Sequence, residues 1–193
     1  ISKQEGTLTV TNREAKYEIT VKANSATATY DGKEHEAVGV ETYEFTVEGN
    51  SYTVSGLSTE DPKQKDAGSY TNNITGTPVV TDKEGNVVTS EFEVKTENGS
   101  LEIGKAAVTL KSATLSKKYD GNALVNGDTA LEVESGFAEG EGATYNFTGS
   151  QTVVGSSANA FSYELNSNTN IDNYAISKQE GTLTVTNREA KYE

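Results

Sequence analysis

The sequence predicts an all-β fold, organised as two tandem β-sandwich modules set end to end. Three observations carry that expectation. Apolar residues recur with period two rather than 3.6, as they do along half-buried strands. Turn-forming Gly, Asn and Asp interrupt the chain at short intervals. The chain also repeats itself twice over, once between its ends and once between its halves.

The period-two segments come in order along the chain. Tyr17, Ile19 and Val21 alternate with Glu18, Thr20 and Lys22, and Tyr43, Phe45 and Val47 alternate with Glu44, Thr46 and Glu48. Val79-Val80 and Val87-Val88 flank the DKEGN turn, which reads as a hairpin. Val108 and Leu110, then Leu183 and Val185, alternate with polar neighbours in the second half. Asp31-Gly32, Gly49-Asn50, Gly85-Asn86, Asn98-Gly99 and Asp120-Gly121 supply the breaks. The spacing gives about six to eight short strands per module, the count of a sandwich. No convincing capped helix is legible.

The repeats set the boundaries. Residues 1–18 and 176–193 are the same letters, ISKQEGTLTVTNREAKYE, so the period is 175 residues. Inside it, ATATYDGKEH around Tyr30 matches ATLSKKYDGNAL around Tyr119, and AGSYTNNI (67–74) matches VGSSANAF (154–161). FEVKTENGSLEIGKA (92–106) matches YAISKQEGTLTVTNREA (174–190), and Ala37–Gly56 aligns without gaps on Ala130–Gly149. The expected division is a duplicated closing strand at 1–14, a first module at 15–105 and a second at 106–193. Residues 1–11 repeat the closing strand without its module. They are expected to pair with a neighbouring molecule or to lie along the first module, since an orphan strand has open ladder groups. The modules meet at Gly104-Lys105 without a Gly/Ser or Pro-rich linker, so an array of them should be a semi-rigid rod.

Composition narrows the function classes. The chain has 193 residues, 33% of them hydrophobic, which implies thin cores. Cys, Met and Trp are absent, so disulfides and thiolate metal sites are excluded. A net charge of −13 argues against nucleic acid and anionic lipid, both of which call for a basic surface. No apolar run approaches the length that spans a membrane.

Chemistry is sparse. His35 is the only histidine, no GxSxG elbow accompanies it, and it reads as solvated surface, so no enzyme is expected. Tyr30-Asp31-Gly32 and Tyr119-Asp120-Gly121 read as architectural turns: aspartate bonds turn amides, glycine takes positive φ, and tyrosine packs as a lid with a wet hydroxyl. A sugar-stacking role is the alternative for the tyrosines. Tyr70, in DAGSY, fits the tyrosine corner of sandwich folds, although Ser157 replaces it in the second half. Two oxygen-rich loops are calcium candidates: Asp82, Glu84 and Asn86, and Asn166, Asn168, Asn170 and Asp172. Turn-forming Asn and Asp explain the same letters without an ion, so no cofactor is expected and calcium is the alternative. Tyr43, Tyr52 and Tyr163 are the residues around which a binder would gather an aromatic patch. No Lys–Asn–carboxylate trio marks an isopeptide bond, and the sequons at Asn73, Asn98 and Asn146 read as incidental.

At KYDGNAL, DAGSY and DNYAISKQEGTLTVTNR the chain resembles the YDG/MBG-type immunoglobulin-like repeats of large bacterial surface proteins, over both modules. The resemblance implies an immunoglobulin-like fold in an extracellular, tandem stalk or adhesin on the cell surface of a Gram-positive bacterium, its parent attached to the cell wall. It carries over no catalytic residues. The expected function is a structural spacer that projects a distal binding region, with a multivalent module binding host glycan or protein as the alternative. Neighbouring repeats of the same chain are the expected partners.

Overall fold

The computed structural model describes residues 6–9 and 15–188. It is all-β, and its only helical pieces among the described residues are two three-residue 3-10 turns, Thr89–Glu91 and Ile171–Asn173. No helix among the described residues is long and apolar enough to cross a membrane.

The first half of the chain runs through β1 (Tyr17–Lys22), β2 (Ala26–Thr29), β3 (His35–Glu36), β4 (Glu44–Val47), β5 (Asn50–Thr59), β6 (Lys63–Gln64), β7 (Gly68–Asn72), β8 (Ile74–Asp82), β9 (Phe92–Glu97) and β10 (Gly99–Gly104). The second half follows with β11 (Ala106–Lys111), β12 (Leu115–Lys118), β13 (Leu124–Val125), β14 (Val133–Ser135), β15 (Ala143–Phe147), β16 (Ser150–Gln151), β17 (Gly155–Asn159), β18 (Phe161–Leu165), β19 (Tyr174–Gln179) and β20 (Gly181–Thr186). Among the described residues each half therefore has ten strands rather than six to eight. The surplus comes from two-residue pieces such as β3 and β6, too short to leave a periodic trace in the sequence.

The pairing scheme of the first half recurs in the second. β1 runs parallel to β9, as β11 does to β19. The order β2-β10-β7 recurs as β12-β20-β17, the pair β3-β6 as β13-β16, and β5-β8 as β15-β18. One partner differs: β4 pairs with β5, whereas β14 pairs with β11. A parallel pair requires a long crossover, and here the crossover is most of each half, so the first strand is closed only when the ninth arrives.

Alternation decides which side chains are buried. In β1, Ile19 and Val21 point inward and join Val54, Val80 and Phe92 in one apolar cluster, while Glu18 and Lys22 stay out. Lys22 pairs with Glu97 at 2.6 Å and Lys95 with Glu18 at 2.9 Å on the wet face of the β1–β9 ladder. In the second half Val108, Leu110, Phe161, Leu183 and Val185 are buried. Two glycines permit the closing strands to seat. Gly99 and Gly181 open β10 and β20, and a Cβ on either would sit on a backbone carbonyl oxygen, that of Asn24 or Ala113 respectively. The DKEGN turn forms a tight hairpin, with Thr81 bridged to Val87 and the Asp82 amide donating to the Asn86 carbonyl at 3.0 Å.

The chain divides into two compact units. The first takes residues up to Thr27, His35–Gln64 and Ser69–Glu102. The second takes Ala28–Glu34, Lys65–Gly68 and the residues from Ile103 onward. The expectation for the duplicated strand at 1–14 lies largely outside the described residues. The described stretch 6–9 carries no strand, and its Leu8 is 99% exposed.

Candidate functional site

The densest polar arrangement in the second unit is built on Tyr30, the tyrosine of the first Tyr-Asp-Gly turn. Its amide donates to the Gly104 carbonyl at 2.8 Å, which anchors the turn to the end of β10. Gly32 takes φ +79°, and the Asp31 carboxylate accepts the Lys33 amide at 2.9 Å, so the turn chemistry is as the letters imply. The Tyr30 hydroxyl differs from expectation. It is buried rather than wet, and it donates to Glu141 Oε1 at 2.5 Å.

Glu141 holds two tyrosines at once. Its Oε2 accepts the Tyr174 hydroxyl at 2.9 Å, and the Tyr174 oxygen in turn accepts the Ala138 amide at 3.0 Å. The rings of Tyr30 and Tyr174 meet edge to face at 5.3 Å, and Phe137 meets Tyr174 in the same way at 5.2 Å. Burial, with the Glu141 carboxylate alongside, pushes the Tyr30 hydroxyl far above its ordinary pKa. Burial also raises that of Tyr174. Beside this cluster Asn173 is buried and reads both halves of a backbone turn: its Oδ1 accepts the Ala67 amide and its Nδ2 donates to Asp66 Oδ1, each at 2.8 Å. The arrangement clamps Ala28–Glu34 and Lys65–Gly68 by hydrogen bonds and ring contacts.

The second turn is anchored alike. The Tyr119 amide donates to the Thr186 carbonyl at 2.8 Å. Asp120 Oδ1 accepts Lys117 Nζ at 2.8 Å and the Asn122 amide at 2.9 Å, and the Lys117 ammonium foremost holds that carboxyl below its usual range. Gly121 takes φ +84°. Tyr119 is only half-buried, however. Tyr70 lies in β7 and Ser157 in β17, both half-buried; the Ser157 hydroxyl donates to the Ser150 carbonyl at 3.1 Å.

Of the calcium candidates, Asp82 and Asn170 spend side-chain oxygens within their own loops. Asp82 Oδ1 accepts the Glu84 and Asn86 amides at 3.0 and 2.8 Å, and Oδ2 accepts Asn86 Nδ2 at 2.9 Å. These bonds, the Asn86 side chain first, lower the Asp82 pKa. Asn168 donates to the Gly140 carbonyl, and Asn170 Oδ1 caps the following 3-10 turn by accepting the Asp172 amide at 3.0 Å. Among the described residues no group of three or more His, Cys, Asp or Glu is arranged to hold a metal ion. His35 sits in β3 opposite Gln64.

Tyr43, Tyr52 and Tyr163 line three separate shallow depressions, in company with Gly56 and Leu57, with Phe45 and Lys83, and with Tyr145 and Glu164 respectively.

A pair of residues that the sequence reading passed over does more for the fold. Asn72 and Asn159, the last residues of β7 and β17, are completely buried. Asn72 accepts the Asp61 amide at 3.0 Å and donates to the Asn24 carbonyl at 3.2 Å. Asn159 donates to the Ala113 carbonyl at 2.9 Å and to Asn126 Oδ1 at 2.6 Å. Each ties the strand end to the loop after the first strand of its half. The signal available beforehand was the shared Asn in the aligned segments YTNNI and SANAF. No protein-family model, curated protein or solved structure matches this chain.

Proposed function

We propose that this chain is a structural spacer: one period of a tandem array of immunoglobulin-like β-sandwich modules, two per period, in the stalk of a large bacterial surface protein. The observation that carries the reading is duplication at two scales. The two ends are identical over eighteen residues, and the two halves share their strand pairings apart from those of β4 and β14. Selection for length and stiffness tolerates identical copies in series, because each copy adds reach without adding chemistry.

Other features support the same reading. The candidate site ties Tyr30 and Tyr174 to Glu141 and the Ala67 amide to Asn173, contacts that an array under load can use. A net charge of −13 keeps neighbouring copies soluble and mutually repelling. Only Lys105 separates β10 from β11, which leaves little slack at that junction. The test is electron microscopy of chains carrying one, two and three periods. Contour length is expected to rise in proportion to the number of periods. Coiled particles whose span grows only as about the square root of that number, as for a flexible linker, would end the proposal.

A further inference from the structure

We propose that each half of this chain is a shear clamp that bears tension, its first and last strands paired so that a pull along the array slides them past one another instead of peeling them apart. The inference deepens the spacer reading and rests on it, since an array that projects a distal region is pulled whenever that region is held.

Strand direction decides how such a half meets force. When first and last strands pair antiparallel, the chain enters and leaves at the same end of the ladder, and a pull opens the bonds one after another. When they pair in parallel, entry and exit lie at opposite ends, and the same pull loads every bond of the ladder at once.

Both halves take the parallel arrangement. β1 lies beside β9 from Tyr17 opposite Phe92 to Lys22 opposite Glu97, and β11 lies beside β19 from Ala106 opposite Tyr174 to Lys111 opposite Gln179. In the second half the sliding contact continues. β12 runs parallel to β20, from Leu115 opposite Leu183 to Lys118 opposite Thr186, and the Tyr119 amide closes it on the Thr186 carbonyl at 2.8 Å. The leaving strand is gripped on its other side as well, because β20 lies between β12 and β17, as β10 lies between β2 and β7.

The weak point of a long ladder is the break between consecutive strands, and here the break is stitched. Residues 112–114 separate β11 from β12. The Ser112 amide donates to the Gln179 carbonyl at 3.1 Å, the Ser112 hydroxyl accepts the Gly181 amide at 2.9 Å, and Thr114 Oγ1 accepts the Thr182 amide at 3.3 Å. Ser112 is fully buried and its hydroxyl donates in turn to the Asn159 carbonyl at 2.6 Å, so its bonds form where water does not compete. The first half repeats the device. The Ala23 amide donates to the Glu97 carbonyl at 2.9 Å, and Ser25 Oγ accepts the Ser100 amide at 3.0 Å. Ser25 and Thr114 stand directly before β2 and β12, and Ser100 and Thr182 are the second residues of β10 and β20. One hydroxyl–amide bond therefore ties the entering strand to the leaving strand at the same place in both halves. Lys105 alone joins β10 to β11, so the leaving strand of the first half hands its load directly to the entering strand of the second.

Single-molecule pulling on the full chain reads the difference, because the protein lacks cysteine and two introduced ones fix the direction of force. Lys105→Cys with Asn187→Cys pulls β11 and β20 lengthwise, from opposite ends of the ladder. Ala107→Cys with Ala175→Cys, Cα partners near its first end, pulls β11 sideways from β19. All four positions are exposed. At equal loading rate the lengthwise rupture force is expected to be at least about two-fold the sideways one, forced unfolding being governed by the barrier to unfolding. Thr109→Cys with Ser177→Cys, also Cα partners, replaces the alanine pair if that chain loses the β-sheet circular dichroism of the parent. Ser112→Ala should lower the lengthwise force and leave the sideways force unchanged, and Thr114→Val repeats the comparison if Ser112→Ala does not fold. Equal forces in the two directions would overturn the clamp. If the forces are equal while multi-period chains still lengthen in proportion to their periods, the clamp falls and the spacer stands. A lengthwise excess in chains whose multi-period forms are coiled would leave the clamp and remove the spacer.

Discussion

Leu8 and Leu183 hold the same place in the same eighteen-letter sequence, yet Leu8 is 99% exposed and Leu183 is fully buried. Intrinsic propensity is identical for the two, so context alone separates them. Leu183 lies in β20 with β12 on one side and β17 on the other, opposite Leu115 and Ser157. A strand here is made by its partners.

The first prediction uses that pair. Leu183→Ala should lower unfolding free energy by about 2–5 kcal/mol, the range for truncating a buried leucine. Leu8→Ala should stay within about 0.5 kcal/mol of the parent, as for an exposed side chain. Urea unfolding followed by circular dichroism measures both. Equal effects would mean that the two leucines share an environment.

Asn72 supplies a second prediction. Asn72→Ala removes a fully buried side chain and leaves the part-buried Asp61 amide and Asn24 carbonyl without their partner, at about 1–3 kcal/mol in all. Asn168 also bonds a carbonyl, that of Gly140, but at the exposed surface, where water replaces the lost bond. Asn168→Ala should therefore cost less than about 0.5 kcal/mol. The same urea titrations compare the two asparagines.

Alkaline pH is the third. The Tyr30 hydroxyl titrates higher in the folded chain than in the unfolded one, because burial and the Glu141 carboxylate disfavour phenolate. Between the two values the folded state holds more protons than the unfolded state. The stabilisation is therefore complete below the unfolded pKa of about 10 and is lost as pH rises past it. Tyr30→Phe should flatten the decline in melting temperature between pH 9 and 11, the interval about one unit either side of that value. An unchanged alkaline slope would show that Tyr30 is not among the groups responsible.

Much of the fold was legible in the letters because alternation and repetition are local properties. The alternating residues of β1, β11 and β20 are the buried ones, and the DKEGN hairpin falls where its turn residues put it. The gapless alignment of Ala37–Gly56 on Ala130–Gly149 is less faithful. Counted from Asn72 and Asn159, the ladders set Tyr145 opposite Tyr163 where Leu57 stands opposite Gly76, so Tyr52 and Tyr145 are not equivalent. β5 and β8 are longer than β15 and β18, and length inserted into paired strands leaves their alternation intact, so the slip is invisible to pattern. Asn72, Asn159 and Glu141 were missed because a polar residue's burial depends on partners remote in sequence. Asn159 and Ala113 are joined across 46 positions, and Tyr30 and Glu141 across 111. Gly99 reads as a turn residue with Asn98, yet it opens a strand, as Gly181 does, where a neighbouring carbonyl leaves no room for a Cβ.

Stiffness is the property on which the proposed function depends, and a distance distribution tests it most directly. Spin labels at Val87→Cys and Glu164→Cys place one probe on each compact unit of an otherwise cysteine-free chain, both at exposed positions. Pulsed dipolar spectroscopy should return a single narrow peak, unchanged by moderate salt. A broad or multi-peaked distribution would mean that the units swing freely, and a chain of that kind cannot serve as a stiff spacer.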